Sequence, residues 1–297
     1  MHADIANFLW VGNSLSLYEA KCIESFVKNG FKVHVYSYGE LAIPDGAILK
    51  DGREVLPLSE VYSYTQAGKK GNLAAFSDAF RYELCKLKAG WWFDTDVFCL
   101  KNVNEWIALA ESKQGSFVFG WESDELVNGA VMFSDNEQFN NLVSKKLSEI
   151  GKEFVWGEIG PRLITKTVSE LQMVDQVVDK HLFYPINFND MSYFFDPSLK
   201  DASNEIIKNS FCVHLWNEIY SIYKIPKNLP PPSGSFLNEL LSIHSKLDNL
   251  YSIPQNVLNI LFEYPFIEGS LQEHKAYKNK IESLLVTRVF RKLRSLL

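Results

Sequence analysis

The chain has 297 residues, 46% hydrophobic and 22% charged, with a formal net charge of −6. This composition excludes a disordered or fibrous chain and allows one large core, with or without a smaller appendage. The negative charge excludes a general attraction to nucleic acid, and no apolar run reaches the length of a membrane span.

The first elements in chain order alternate between strand and helix. "NFLWV" is a short apolar run ending at Gly12, and "LSLYEAKCIESFVKNG" places Leu17, Cys22 and Phe26 near helical spacing before Asn29 and Gly30. "FKVHVYSY" predicts a second strand and "DGREVLP" a connector. A strand, a helix and a strand at this spacing form the unit of a parallel sheet covered by helices. Ser77 is expected to cap a helix running to Lys88, with Phe80, Leu84 and Leu87 on its packing face. "WWFDTDVFCL", "SFVFGWE" and "GAVMFS" read as strands, 137–149 and 158–171 as helices, and "HLFYPINF" as a strand or loop. Pro230, Pro231 and Pro232 with Gly234 cannot continue a helix or sit inside a sheet. The reading therefore divides the chain into a main α/β domain at 1–228 and a helical appendage at 235–297.

Cys22, Cys85, Cys99 and Cys212 show no CxxC pairing and suit buried thiols in a reducing compartment. The start, "MHADIANFLWVGNSLS", has no basic stretch before an apolar run and is not expected to be a signal peptide.

The chemistry gathers around Asp94 and Asp96. In an extended segment both side chains would point the same way, with Thr95 opposite, and the carboxylates would repel unless something positive sits beside them. In an open α/β sheet the ligand crevice lies at the carboxyl ends of the strands. There, two carboxylates suit Mg²⁺ or Mn²⁺, which keep positions open for phosphate oxygens. Asp78 and Arg81, three apart on one helix face beside Ser77, offer an acceptor for a base or ribose and a fork of donors for phosphate or sugar oxygens. The alternative is an exposed ion pair.

Asn128 and Gly129 either bring an amide to sugar hydroxyls with close backbone approach or form a turn. Gly157, Gly160 and Pro161 are either a helix entry passing a ligand, walled by Trp156, or a simple loop. His214 stands next to polar Asn217 rather than in a wholly apolar run.

Taken together, "FSDAFRYELCKLKAGWWFDTDVFCLKNV" resembles the DXD-containing sugar-transferase family of initiating mannosyltransferases, α-1,4-galactosyl- and N-acetylglucosaminyltransferases and bacterial capsule and lipopolysaccharide enzymes. The clostridial glucosylating toxins are more distant. "FLWVGNSLSLYEAKCIESF", "HVYSY", "NGAVMF", "WGEIGPRLITK" and "VHLWNE" continue the resemblance in order over most of residues 6–220. It implies a GT-A fold, a Rossmann-like mixed sheet flanked by helices, and a retaining transfer from a UDP-sugar with Mn²⁺ or Mg²⁺. It also implies that Asp94 touches ribose or reaches the metal through water and that Asp96 ligates the metal directly. Asp78 and Arg81 would contact donor sugar and phosphate, while Trp10 and Gly12 lie along the nucleotide and Tyr38 near uracil. His214 would be the third protein ligand and Trp216 part of a lid, and Trp156, Gly157, Gly160 and Pro161 would face the acceptor. Ala89 and Gly90 depart from the family's two glycines.

A toxin-like protein O-glycosyltransferase and a non-catalytic sugar-nucleotide or glycan-binding module are the alternatives. The final segment, "KAYKNKIESLLVTRVFRKLRSLL", sets seven basic residues against Glu282, with Leu285, Val289, Leu293 and Leu296 forming one apolar stripe. It reads either as a helix lying on an anionic cytoplasmic membrane face, beside a lipid-linked oligosaccharide acceptor, or as a helix docked on the body.

Overall fold

The computed structural model describes residues 2–66, 69–113, 117–155, 157–247 and 251–263. Strand β1 (Ile5–Leu9) leads through helix α1 (Leu17–Lys28) to β2 (Lys32–Ser37), which pairs with β1 in parallel register, Ile5 opposite Lys32 and Leu9 opposite Tyr36. The stretch between "HVYSY" and "DGREVLP" adds an edge strand, β3 (Ile48–Asp51), parallel to β2. Its mixed composition left it unread in the sequence.

Helix α2 spans Leu73–Lys86 rather than starting at Ser77, because Asn72 is the cap: its Oδ1 accepts from the Ala75 N–H at 2.9 Å. Ser77 therefore lies inside the helix, one turn before Arg81.

The expected single strand through "WWFDTDVFCL" is two strands, β4 (Trp91–Phe93) and β5 (Val97–Cys99). Between them the chain turns, with the Val97 N–H donating to the Asp94 carbonyl at 3.1 Å. Helix α3 (Val103–Ser112), strands β6 (Phe117–Ser123) and β7 (Leu126–Ser134), helix α4 (Glu137–Ile150) and helix α5 (Pro161–Glu170) follow. "HLFYPINF" begins as one helical turn, α6 (Lys180–Phe183), and continues without strand structure. β8 (Cys212–His214) pairs antiparallel with β5, and α7 (Asn217–Ile222) follows it.

The main sheet has six strands in the order β3-β2-β1-β4-β7-β6, with β3, β2, β1 and β4 parallel and β7 antiparallel to both neighbours. Helices cover both faces, so β4 is buried throughout: Trp91 and Phe93 join the core with Phe8, Phe26 and Trp106, and Trp92 faces Phe76 and Phe80. The rings of Phe26 and Phe93 lie 4.2 Å apart. Burying side chains of this size contributes roughly 1.5–3 kcal/mol each and fixes where β4 ends.

Beyond the proline run, helix α8 (Phe236–Ser242) is capped by Ser235, and helix α9 spans Gln255–Glu263. Phe236, Leu237, Leu240, Leu258 and Leu261 bury themselves in the same core as Phe8. The basic segment from 275 onward lies outside the described residues. The four cysteines are free and buried.

Candidate active site

Parallel pairing brings the carboxyl ends of β1, β2 and β4 to one edge, and Asp94 is the first residue past β4. The turn, not an extended strand, orients the two acids. The Asp94 N–H donates to the Ala130 carbonyl at 2.8 Å, which pins the start of the turn to β7. On its other side, the Leu215 N–H donates to the Asp96 carbonyl at 2.8 Å, which ties the turn to the end of β8.

Arg81 is buried and reaches Asp94 Oδ1 from Nη2 at 2.9 Å and Asp78 Oδ1 at 3.4 Å. The same nitrogen lies 3.4 Å from Ser77 Oγ, and the guanidinium sits 5.1 Å from the Trp92 ring centre. Trp92 Nε1 donates to Asp94 Oδ1 at 2.8 Å. Ser77, Asp78 and Arg81 on α2 thus form one polar group with Asp94, as their helical spacing suggested.

Two glycines allow this packing. A Cβ at Gly129 would lie 2.8 Å from Arg81 Nη1, and one at Gly160 would lie 2.7 Å from Asp78 Oδ2. Gly160, expected toward the acceptor, packs against Asp78 just before Pro161 opens α5. Gly157 has φ +76° and faces the Arg162 side chain, while Trp156 lies outside the described residues.

Asp96 and His214 meet across the β5–β8 ribbon, with Oδ2 and Nε2 at 3.3 Å. The Asn217 N–H also donates to Asp96 Oδ2, at 2.6 Å. That donor is aimed by Trp216, which takes left-handed backbone (φ +59°), a conformation costing a non-glycine residue about 1–3 kcal/mol and retained where surrounding contacts enforce it. Here they do: Trp216 is buried, its Nε1 donates to the Ile186 carbonyl at 2.9 Å, and its ring lies 4.2 Å from that of His214.

One ligand atom from each of Asp94, Asp96 and His214 lies within 4.8 Å of the others. The three groups also shift one another's protonation. Burial pushes the Asp94 carboxyl up, Arg81 opposes this, and nearby Asp96 raises it further. Burial also works against the ionised Asp96, but His214 and the Asn217 N–H outweigh it and hold Asp96 low. In turn, burial would lower His214, yet Asp96 keeps it raised. His214 Nδ1 is buried without a hydrogen-bond partner among the described residues. Two carboxylates and an imidazole fit Mn²⁺ or Mg²⁺ in chemistry. Asp78 is pushed up to about 6, first by burial, against the pull of Arg81 and with a further push from Asp94.

Trp10, Gly12 and Tyr38 sit at the same sheet edge but make no hydrogen bond with the acids among the described residues. Trp10 follows β1, with its N–H donating to the Tyr36 carbonyl at 2.9 Å and its Nε1 3.0 Å from where a Gly12 Cβ would be. Tyr38 follows β2, its hydroxyl donating to the Leu56 carbonyl at 2.9 Å. An open hollow of about 620 Å³, lined by Asn13, Glu40, Leu41, Ala42 and Leu49, lies beyond these strand ends.

Asn128 lies in β7 rather than in a turn, and its amide bonds Glu122 Oε2 at 2.7 Å. Sequence reasoning missed Glu122, Tyr184, Trp92 and Asn217 as site residues. The alternation of "FGWES" leading into "NGAVMF" carries the only signal for Glu122, an acid on the strand paired with Asn128.

The fold and this edge define an α/β protein with two carboxylates and an imidazole gathered at the carboxyl end of its parallel strands. The family description "Alpha 1,4-glycosyltransferase conserved region" matches residues 132–244, a stretch containing His214, Trp216 and Asn217. Lactosylceramide 4-alpha-galactosyltransferase of Pongo pygmaeus is 24% identical over 175 residues, 54% of this chain and 76% of that protein. The protein of that name from Homo sapiens is also 24% identical over 54% of this chain, and the one from Mus musculus over 56%. The chain spans about half the length of these last two, 47% of each. A solved structure described as PaToxG Glycosyltransferase aligns with a TM-score of 0.41 at 14% identity, covering 69% of this chain and 78% of its own. The family match and the relatives support the sugar-transferase resemblance and a transferase enzyme.

Proposed function

We propose that the chain is a metal-dependent retaining glycosyltransferase that moves a hexose or N-acetylhexosamine from a UDP-sugar to a hydroxyl of an oligosaccharide. The observation that carries this reading is the convergence of Asp94, Asp96 and His214 at the sheet's carboxyl edge, beside a buried Arg81. Asp94, Asp96 and His214 would hold the ion. When bound, Mn²⁺ or Mg²⁺ neutralises charge on the leaving diphosphate. Arg81, fixed by Asp94 and Asp78, lends a second positive charge to that side of the site. Asp78 accepts hydrogen bonds from the donor, and the hollow beyond β1 and β2 takes the nucleoside between Trp10 and Tyr38. Retention is assigned to a front-face transfer, in which the departing phosphate oxygen takes the proton of the acceptor hydroxyl.

The acceptor is proposed to be a lipid-linked oligosaccharide of capsule, O-antigen or lipopolysaccharide synthesis, met at the cytoplasmic membrane face by the basic stripe of residues 275–297. Among the described residues no helix is long and apolar enough to cross a membrane.

The test is turnover of a UDP-sugar panel with Mn²⁺, followed by NMR of the product anomer. Metal-dependent release of UDP with a retained anomer is expected. Binding of a UDP-sugar without turnover would return the chain to a binding module, and an inverted product would overturn the front-face transfer.

A further inference from the structure

The β6–β7 hairpin carries an irregularity beside the acids. Phe119 stands opposite Met132, but the next residue, Gly120, stands opposite Asn128. Residues 129–131 are therefore left without partners in β6, although Val131 still pairs with Phe93 of β4, and the backbone groups turned toward β6 need other partners. The Ala130 N–H donates to Asn128 Oδ1 at 2.7 Å, and the Val131 N–H donates to the Tyr184 hydroxyl at 3.2 Å. The Ala130 carbonyl accepts from the Asp94 N–H at 2.8 Å. The bulged stretch thus borders the first acid of the site, which its other edge holds as the β4–β7 pairing runs on.

This arrangement changes what Asn128 can do. Asn128 is buried, with its carbonyl oxygen committed to the bulge and its amide nitrogen committed to Glu122 Oε2 at 2.7 Å. An amide held at both ends has one N–H left to offer a ligand and is fixed mainly as a support. Glu122 is different: it is half-buried, one oxygen is anchored, and Oε1 has no hydrogen bond among the described residues. Hydrogen bonds link it to the first acid: its Oε2 takes the Asn128 amide, Asn128 Oδ1 takes the Ala130 N–H, and the Ala130 carbonyl takes the Asp94 N–H. A carboxylate fixed by one oxygen presents the other as an acceptor at small entropic cost, and its natural partners are hydroxyl donors. It stands outside the Asp94–Asp96–His214 cluster.

We propose that Glu122 binds the transferred sugar, with Oε1 accepting a hydrogen bond from a hydroxyl of the donor hexose while Asn128 holds Oε2 and closes the bulge. This rests on the nucleotide-sugar transferase reading above. It assigns the sugar contact expected of Asn128 to its neighbour across the hairpin.

The experiment is calorimetric titration of the wild-type chain, Glu122→Ala and Glu122→Gln with Mn²⁺, using UDP and then UDP-glucose, UDP-galactose and their N-acetyl forms. A hydrogen bond to a charged group corresponds to roughly a tenfold to hundredfold change in affinity. Glu122→Ala is expected to weaken the preferred UDP-sugar by that factor while leaving UDP within about twofold. Glu122→Gln, which keeps one carbonyl acceptor, should fall between the two. Equal losses for UDP and UDP-sugar would make Glu122 a structural support of the hairpin and overturn the proposal. So would an unchanged UDP-sugar affinity in Glu122→Ala. Failure of the wild-type chain to bind UDP at all would remove the nucleotide-sugar reading itself, and with it this role for Glu122.

Discussion

Replacing Asp78 with Asn should stabilise the protein at neutral pH and lower its turnover roughly a hundredfold. Asp78 holds its proton to about 6, against an ordinary 3.8, because burial is only partly offset by Arg81 and is reinforced by Asp94. A folded-state value above the unfolded one means that the native protein binds the proton more tightly. The corresponding stability is fully present below about pH 4 and is lost as pH rises through about 6. At about 1.4 kcal/mol per tenfold, the difference between 6 and 3.8 amounts to about 3 kcal/mol of ionisation cost carried by the native state at pH 7.5. The side chain is only 16% exposed, so solvent screening removes little of this. An amide is never ionised and escapes the cost, while Arg81 keeps Asp94 as its partner at 2.9 Å.

The assay is urea unfolding in EDTA at pH values from 4 to 8. Asp78→Asn and wild type should have similar stability near pH 4, and the variant should gain about 2–3 kcal/mol by pH 7.5. Its metal-dependent UDP-sugar turnover should fall by roughly a hundredfold, because the donor loses a charged acceptor. A gap that does not change with pH, or a variant less stable at pH 7.5 than at pH 4 relative to wild type, would refute the reasoning.

Asp96→Ala should leave a folded chain with at least about a hundredfold less turnover, and His214→Ala should weaken Mn²⁺ binding by roughly tenfold to a hundredfold, read by calorimetry; wild-type metal affinity in His214→Ala would return that histidine to a structural role. Gly160→Ala sets a methyl 2.7 Å from Asp78 Oδ2, so turnover should drop by about tenfold or more with little change in Mn²⁺ affinity. Glu19 is buried against Lys227, so Glu19→Gln should cost about 3–5 kcal/mol in denaturant unfolding, and pairing it with Lys227→Met should recover part of that loss. Deleting residues 275–297 should abolish sedimentation with anionic liposomes while sparing turnover of a short soluble acceptor; unchanged sedimentation would remove the proposed anchor.

Much of the sheet was legible because its strands are short apolar runs punctuated by turns: "NFLWV", "FKVHVYSY" and "SFVFGWE" all overlap strands in the structure. The misses have local causes. Asn72 is as good a cap as Ser77, and nothing in the sequence separates the two until Ala75 is seen to donate to Asn72. "WWFDTDVFCL" reads as continuous because buried residues flank the acids on both sides, and only the backbone bond from Val97 to Asp94 shows the turn. The pairing of Asp78 with Arg81 was readable because helical spacing is a local rule. The contact between Asp96 and His214 is not local: 118 positions separate the two, and their approach depends on β8 pairing with β5.

The same distinction explains why Asn128 attracted attention and Glu122 did not. Asparagine before glycine is a conspicuous dipeptide, whereas a lone acid near a strand end resembles any solvated carboxylate. Three residues of β7 without a partner in β6 reverse their importance, because the Ala130 N–H draws in the Asn128 side chain while its carbonyl holds the Asp94 N–H on the β4 side. A bulge is invisible to a period-two reading of the strand, since it is defined by the partner's register rather than by its own sequence. At this edge the register decides which polar atoms are spent on the fold and which, like Oε1 of Glu122, are left for a ligand.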